Sequence, residues 1–373
     1  MAPVLDPSSL PAMEVAGRLG RLRDGLGEAG IDGLLVTKLE NVRYLAGFSG
    51  SAGMLLVPAG GGEAVLLTDG RYRDQSAAEL AAAGVDARVE VAGGAGQLEA
   101  LGRLVKGTER LGLEAPHVSW ALQARLEELV EPVGLVPTRG LVEALRVVKD
   151  PGEQARIERA CEIADVALAQ VKERLVSGCT EAELAAELEH EMRRRGASGP
   201  SFETIVASGP NSALPHARPT GREIGRGELV VIDFGALVDG YHSDMTRTLC
   251  VGEPPDDLAA LVDAVLAAQR AGLHRVAAGV SAGEVDEAAR SSLAEAGYGE
   301  LFIHSTGHGV GLEIHEGPPV AHGSADILQA GSVVTVEPGA YEPGRGGVRI
   351  EDTVVVTATG ARVLTKSTKD YTL

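Results

Sequence analysis

Leu229-Val230-Val231-Ile232-Asp233-Phe234 reads as a buried strand, an apolar run with one carboxylate where a hydrophobe is expected. A lone buried carboxylate costs several kcal/mol unless something compensates it. With ten residues between, the oddity recurs at Asp244 in Ser243-Asp244-Met245-Thr246-Arg247-Thr248. Between the two acids lies Asp239-Gly240, a favoured two-residue hairpin turn. That turn sets Gly235 opposite Asp244 and Asp233 opposite Thr246, which makes the two carboxylates diagonal neighbours on one face. Two acids on one buried face repel each other unless a cation lies between them. The plainer alternative is a surface hairpin with two solvated acids.

Two further stretches repeat the pattern. His304-Ser305-Thr306-Gly307-His308-Gly309-Val310-Gly311, followed by Glu313 and His315-Glu316, gathers three of the nine histidines within twelve residues. Glycine on each side of His308 removes Cβ bulk, so the imidazole can approach a ligand closely; the alternative is a Gly-rich loop with exposed histidines. Val333-Val334-Thr335-Val336-Glu337-Pro338-Gly339 is a strand ending in an acid, and Gly347-Val348-Arg349-Ile350-Glu351-Asp352 is its partner. Glu337 and Glu351 are 14 positions apart, an even number, so a hairpin closed by the intervening Gly/Pro segment lets them face each other. Two Asp, two Glu and one His form a mostly hard-oxygen donor set that suits Mn²⁺, Co²⁺ or Fe²⁺ better than a thiolate-rich zinc site does. Four carboxylates balance two divalent cations, and such a pair ~3.5–4 Å apart is a standard hydrolytic device.

Outward from these motifs, helices are expected at Pro151 to Val176, Thr180 to Arg195, Asp256 to Ala278 and Ala282 to Ala296, with apolar strands between Gly/Pro turns, an α+β arrangement. Residues Glu14 to about Val148 instead alternate amphipathic helix with short apolar strand, an α/β pattern. No nucleotide-type glycine loop joins strand to helix there. Asp150-Pro151 is a helix start, which places the domains at 1–148 and 149–373.

Composition limits the function further. With 44% apolar residues in 373, the chain can bury two or three domains at roughly 150 residues each, and its 49 glycines follow no period, which excludes collagen and disorder. The net charge of −19 repels phosphate backbones and anionic membranes, and 3% aromatics leaves little for base stacking, so neither nucleic acid nor membrane is expected as a partner. Met1–Leu10 lacks a basic region followed by an apolar stretch, no run of 18 apolar residues occurs, and Cys161, Cys179 and Cys250 have no close spacing. A soluble protein of the reducing cytoplasm is expected.

Taken together, residues Glu153 to about Val356 resemble the creatinase/prolidase/aminopeptidase P group of metallopeptidases, with all five ligand positions present: Asp233, Asp244, His308, Glu337 and Glu351. Ser208-Gly209-Pro210-Asn211 through Pro215-His216 is similar to a further family stretch, as are Asn41-Val42-Arg43-Tyr44-Leu45-Ala46-Gly47-Phe48 and Thr68-Asp69-Gly70-Arg71-Tyr72 in the N-terminal half. The resemblance implies an α+β pita-bread catalytic domain preceded by an α/β creatinase-like N-terminal domain. It also implies two divalent metal ions, Mn²⁺ first with Co²⁺, Fe²⁺ or Zn²⁺ as alternatives, a bridging hydroxide as nucleophile, and a homodimer. By the same resemblance Glu337 also handles the proton, and His304 and His315 contact substrate and stabilise the oxyanion. His216 lines the substrate pocket, Arg349 supports the site electrostatically, and Tyr341 is a pocket residue.

The implied activity is hydrolysis of the bond between a first residue and a proline in second position, a bond general peptidases handle poorly because proline fixes φ and lacks an N–H. The N-terminal motifs lean towards an aminopeptidase P acting on longer peptides. The alternative is a dipeptidase, which needs a cation for the free carboxylate, with Arg43, Arg71 and Arg73 as candidates. A catalytically dead peptide-binding module and a metal-free creatinase-like amidinohydrolase are the other readings; retention of all five ligands argues against both.

Overall fold

The structure, a computed structural model, describes residues 9–373. The reading of Met1–Leu10 therefore falls largely outside the described residues. The chain divides into two compact units, Met13–Arg146 and Val147–Leu373, and residues 9–12 group with the second. There the Pro11 carbonyl accepts from Arg156 Nη1 at 2.9 Å and Leu10 packs against the buried helix face.

In the first unit a six-stranded sheet runs in the order Ala87–Val91, Ala64–Thr68, Gly53–Pro58, Gly33–Val36, Arg110–Glu114, Gly134–Thr138. Gly53–Pro58 is antiparallel to both neighbours and the other pairs are parallel. The apolar runs of Gly33–Val36 and Ala64–Thr68 are buried throughout, as central strands covered on both faces require. Two elements escape the sequence pattern. Helix Leu39–Ala46 has only eight residues, and strand Gly134–Thr138 contains Pro137, which it tolerates because it lies at the sheet edge.

The second unit carries helices Pro151–Ser177, Glu181–Arg194, Asp256–Arg275 and Ala282–Glu295. Three of them open with a capping box: Asp150 with Glu153, Thr180 with Glu183, and Ser281 with Glu284. Ser281→Ala, at an exposed cap, is expected to lower stability by about 1 kcal/mol, read as a shift in the denaturant midpoint at unchanged slope.

Two hairpins carry the acids, and both have the register that the sequence predicts. Thr246 lies opposite Asp233, Leu237 opposite His242, and Asp239 and Gly240 form the turn, with positive φ of 46° and 74°. The outer half, Leu229–Phe234 with Met245–Cys250, belongs to one three-stranded sheet, whereas Ala236–Val238 with Tyr241–His242 belongs to another. The ladder breaks at Gly235, where a Cβ would lie 1.9 Å from the Ser243 carbonyl oxygen, and the Ala236 amide donates instead to Ser243 Oγ at 2.9 Å. The second hairpin does the same. Val336 lies opposite Asp352 in a five-stranded sheet and Gly339 opposite Arg349 in a two-stranded one, so Glu337 and Glu351 straddle the break.

Apolar packing holds these hairpins in place. Val230, Ile232 and Phe234 pack with Ile163, Leu168 and Leu188, and Val334, Val336, Val354 and Val356 with Val276 and Val285. Each such side chain contributes about 1.5–3 kcal/mol. The core is Leu, Val, Ala and Ile almost throughout, as the scarcity of aromatics requires.

Candidate active site

The two sheet breaks and the His308 strand converge on a cavity of about 620 Å³ in the second unit, lined by Asp233, Asp244, His308, Glu337 and Glu351. His308 Nε2 lies 3.2 Å from Glu337 Oε1 and 3.6 Å from Asp244 Oδ2. Its Nδ1 donates to the Gly309 carbonyl at 3.0 Å, which fixes the ring so that Nε2 faces the acids. The glycines beside His308 serve the backbone and not a ligand. A Cβ on Gly307 or Gly309 would lie 2.1 Å from a carbonyl oxygen, of Thr335 and Gly317 respectively.

Burial and mutual repulsion set the electrostatics. Burial, and then the charges of its neighbours Glu351, Asp233 and Glu337, push Asp244 well above the usual carboxylate range. Glu351 is pushed up in the same way, by burial and then by Glu337 and Asp233. Burial raises Asp233 too, against the pull of Arg349. Glu337 is the exception: burial works to raise it, but its hydrogen bond with His308 and the charges of His308 and Arg349 bring it down to about 2.

Such a cluster demands a counter-charge. Asp233 Oδ1 and Glu351 Oε1 are buried without a hydrogen-bond partner, although the other oxygen of each is engaged, by Arg349 Nη2 at 2.5 Å and Thr246 Oγ1 at 2.7 Å. Ligand atoms of Asp244, His308 and Glu351 lie within 4.8 Å of one another. Unpartnered carboxylate oxygens beside an imidazole nitrogen that faces them form a mostly hard donor set that fits divalent metal ions.

Around this centre, Arg349 also donates through Nε to Thr246 Oγ1 at 3.1 Å and through Nη1 to Tyr341 Oη at 2.7 Å and the Pro215 carbonyl at 3.2 Å. His304 Nδ1 donates to the Ser305 carbonyl at 2.7 Å, and burial lowers its pKa, so its Nε2 accepts from the Tyr341 hydroxyl at 2.9 Å. That contact makes His304 a positioning partner of Tyr341. His315 lines the cavity edge-on to His308, with ring centroids 4.3 Å apart, and burial lowers its pKa. His216 lines the cavity as well, and Phe202, Ile205, Pro215, Ile314 and Pro319 supply an apolar wall. Arg43, Arg71 and Arg73 lie in the first unit, on helix Leu39–Ala46, in the Gly70–Tyr72 turn and at the start of helix Arg73–Ala83. There Arg71 grips Asp69 through Nε at 3.0 Å and Nη2 at 2.7 Å.

Three supporting residues carry no sequence signal. Glu181 is buried and accepts from the Ser208 amide and hydroxyl, Asn211, and the Thr220 amide and hydroxyl, which fixes the stretch before and after His216. Asp286 accepts from Thr306 and binds Arg290, which donates to the Phe302 and His304 carbonyls at 3.1 and 3.0 Å. Arg247 donates to the Glu351 carbonyl and pairs with Asp352 at 2.9 Å. In sequence, Glu181 is a first-turn helix acid and Asp286 an ordinary polar position of an amphipathic helix.

Burial works to raise Glu181, but the hydrogen bonds from Thr220, Ser208 and Asn211 hold it below the usual value. A depressed folded pKa gives stability that is present above the unfolded pKa and lost as pH falls through the folded one. Glu181→Gln is expected to cost about 2 kcal/mol at pH 7, with the gap to wild type narrowing below about pH 4. Denaturant unfolding at both pH values checks this, and a gap that does not narrow would refute the ionised contact.

The model of metallopeptidase family M24 matches residues 155–358, and that of the creatinase/prolidase N-terminal domain matches residues 18–148. A solved Xaa-Pro dipeptidase from Bacillus anthracis is 41% identical with a TM-score of 0.91, covering 95% of this chain and 99% of its own. The Xaa-Pro dipeptidase of Pyrococcus furiosus is 38% identical over 95% of this chain and 99% of its own length. A crystal structure of an X-Pro aminopeptidase from Thermotoga maritima is 37% identical with a TM-score of 0.84, covering 92% of this chain and 98% of its own. Among the described residues no helix is long and apolar enough to cross a membrane.

Proposed function

The chain belongs to metallopeptidase family M24, and from that premise we propose that it is an Xaa-Pro dipeptidase, a dinuclear-metal hydrolase of dipeptides with proline in second position. The fold is a pita-bread catalytic domain with a creatinase-type N-terminal domain, and the protein is a metal-dependent peptidase. The observation that carries the reading is the convergence of four carboxylates and one imidazole on one cavity, with an unpartnered oxygen on Asp233 and on Glu351. The lean towards aminopeptidase P gives way to the dipeptidase alternative, because relatives at 38–41% identity over 95% of the chain are Xaa-Pro dipeptidases.

Asp233, Asp244, His308, Glu337 and Glu351 would hold the metals. When bound, two divalent ions polarise a carbonyl and lower the pKa of water. The chain's own groups do the rest. Glu337, ionised and already hydrogen-bonded by Thr335 Oγ1 at 3.2 Å, accepts the proton released as water attacks. Neutral His315 offers an N–H to the developing oxyanion. Arg349 holds Asp233 and Tyr341 in place, and the apolar wall of Phe202, Ile205, Pro215 and Ile314 takes the pyrrolidine ring and excludes water. The 1–148 and 149–373 domain division, Mn²⁺ as the metal, a homodimer and cytoplasmic residence belong to the same reading.

The test uses metal-stripped protein reloaded with Mn²⁺, Co²⁺ or Zn²⁺, mixed with Ala-Pro and Ala-Pro-Ala, with products read by mass. Cleavage of Ala-Pro alone supports the dipeptidase. Cleavage of Ala-Pro-Ala returns the assignment to the aminopeptidase, which the likeness to the Thermotoga structure favours. No cleavage of either by metal-loaded protein leaves a binding module.

A further inference from the structure

A dipeptide carries a free carboxylate on its proline, and a carboxylate that enters the cavity loses hydration which only a charged partner replaces. Binding therefore demands a cation elsewhere on the cavity wall. Among the described residues lining the cavity there are two guanidiniums, Arg349 and Arg218, and no lysine. Arg349 is buried and engaged by Asp233, Thr246, Tyr341 and the Pro215 carbonyl. Arg218 is the opposite case. Its side chain is 79% exposed, and its Nη2 pairs at 3.1 Å with Oε2 of Glu203, itself a lining residue 62% exposed. An exposed pair of this kind is weak and screened by salt, so a competing carboxylate can displace Glu203 readily.

The backbone under Arg218 is held on both sides. Before it, the Pro215 carbonyl accepts from Arg349 and the Ala217 amide donates to the Leu214 carbonyl at 3.1 Å. After it, Pro219 has its φ locked, and the Thr220 amide and hydroxyl donate to Glu181 at 3.1 and 2.6 Å. The side chain is thus a long arm on a fixed base, with a planar fork that matches a carboxylate.

Resting on the dipeptidase reading, we propose that Arg218 is the residue that recognises the proline carboxylate of the Xaa-Pro dipeptide, exchanging Glu203 for the substrate when it binds. Glu203 keeps the fork at the wall when no substrate is bound. A longer peptide presents an uncharged amide at the same place and gains nothing from the exchange, so the pair selects for dipeptides. The cation then comes from the second unit.

The metal-loaded enzyme with Ala-Pro and Ala-Pro-amide tests this. Arg218→Ala is expected to raise KM for Ala-Pro about tenfold, the loss falling on KM and not kcat, and to lower the preference for Ala-Pro over the amide by a similar factor. Arg218→Lys recovers part of the loss, because it keeps the charge without the fork. Glu203→Gln lowers KM for Ala-Pro about two- to threefold by freeing the arm. An unchanged KM in Arg218→Ala, or an equal loss on both substrates, overturns the inference and leaves the dipeptidase reading standing. A wild-type enzyme that cleaves Ala-Pro-Ala but not Ala-Pro overturns the reading itself and this inference with it.

Discussion

Asp244→Asn is expected to abolish peptidase activity while making the metal-free protein more stable than metal-free wild type. Asp244 is buried within reach of Glu351, Asp233 and Glu337, which raise its pKa well above the usual range after burial itself. Replacing one of four crowded carboxylates by an isosteric amide removes repulsion that no metal ion relieves in the stripped protein, a gain of about 1–2 kcal/mol. On adding metal the order reverses, because binding to the folded state stabilises wild type by mass action and the variant has lost a ligand. The activity loss is about 10³-fold or more, since polarisation of the carbonyl is worth several kcal/mol and each ~1.4 kcal/mol is tenfold. Thermal midpoints with and without chelator, beside turnover of Ala-Pro, read both effects. A stripped variant less stable than stripped wild type would mean that contact with His308 outweighs the repulsion.

Arg349 is the second place where one substitution has a large effect. Its guanidinium touches Asp233, Tyr341, Thr246 and the Pro215 carbonyl at once, in a buried setting. Arg349→Met leaves Asp233 without its partner and is expected to cost about 3–5 kcal/mol, as removal of one member of a buried ion pair does. Arg349→Lys keeps the charge but offers one compact ammonium, which cannot reach four acceptors spread over a planar fork. Its kcat/KM for Ala-Pro is expected to fall about 10²-fold even when metal is bound. Denaturant unfolding and steady-state kinetics of the metal-loaded variants check both statements. Near-wild-type kinetics in Arg349→Lys would show that the charge matters there and the geometry does not.

The acids at Asp233, Asp244, Glu337 and Glu351 are legible because a carboxylate in an apolar run breaks a pattern, and strand parity then places each pair on one face. Both registers follow from turn chemistry and even spacing, which are local properties of the chain. The capping boxes at Asp150, Thr180 and Ser281 likewise announce three helix starts within a few residues. Glu181 is not legible, because an acid in the first turn of a helix reads the same whether it faces water or five donors from a loop about 30 residues away.

By itself, then, the sequence determined the two-part α/β and α+β organisation, the two hairpins and the five-residue donor set, since all of these rest on periodicity, parity and side-chain type. Tertiary structure alone decided that each hairpin changes sheet at its acids, with Gly235 allowing Ser243 to close against the backbone. It also decided that His304 contacts Tyr341, and that the exposed guanidinium on the cavity wall is Arg218. The physical reason is common to these cases. Burial, hydrogen-bond partners and electrostatic neighbours depend on distances across sheets and loops, which no spacing along the chain encodes.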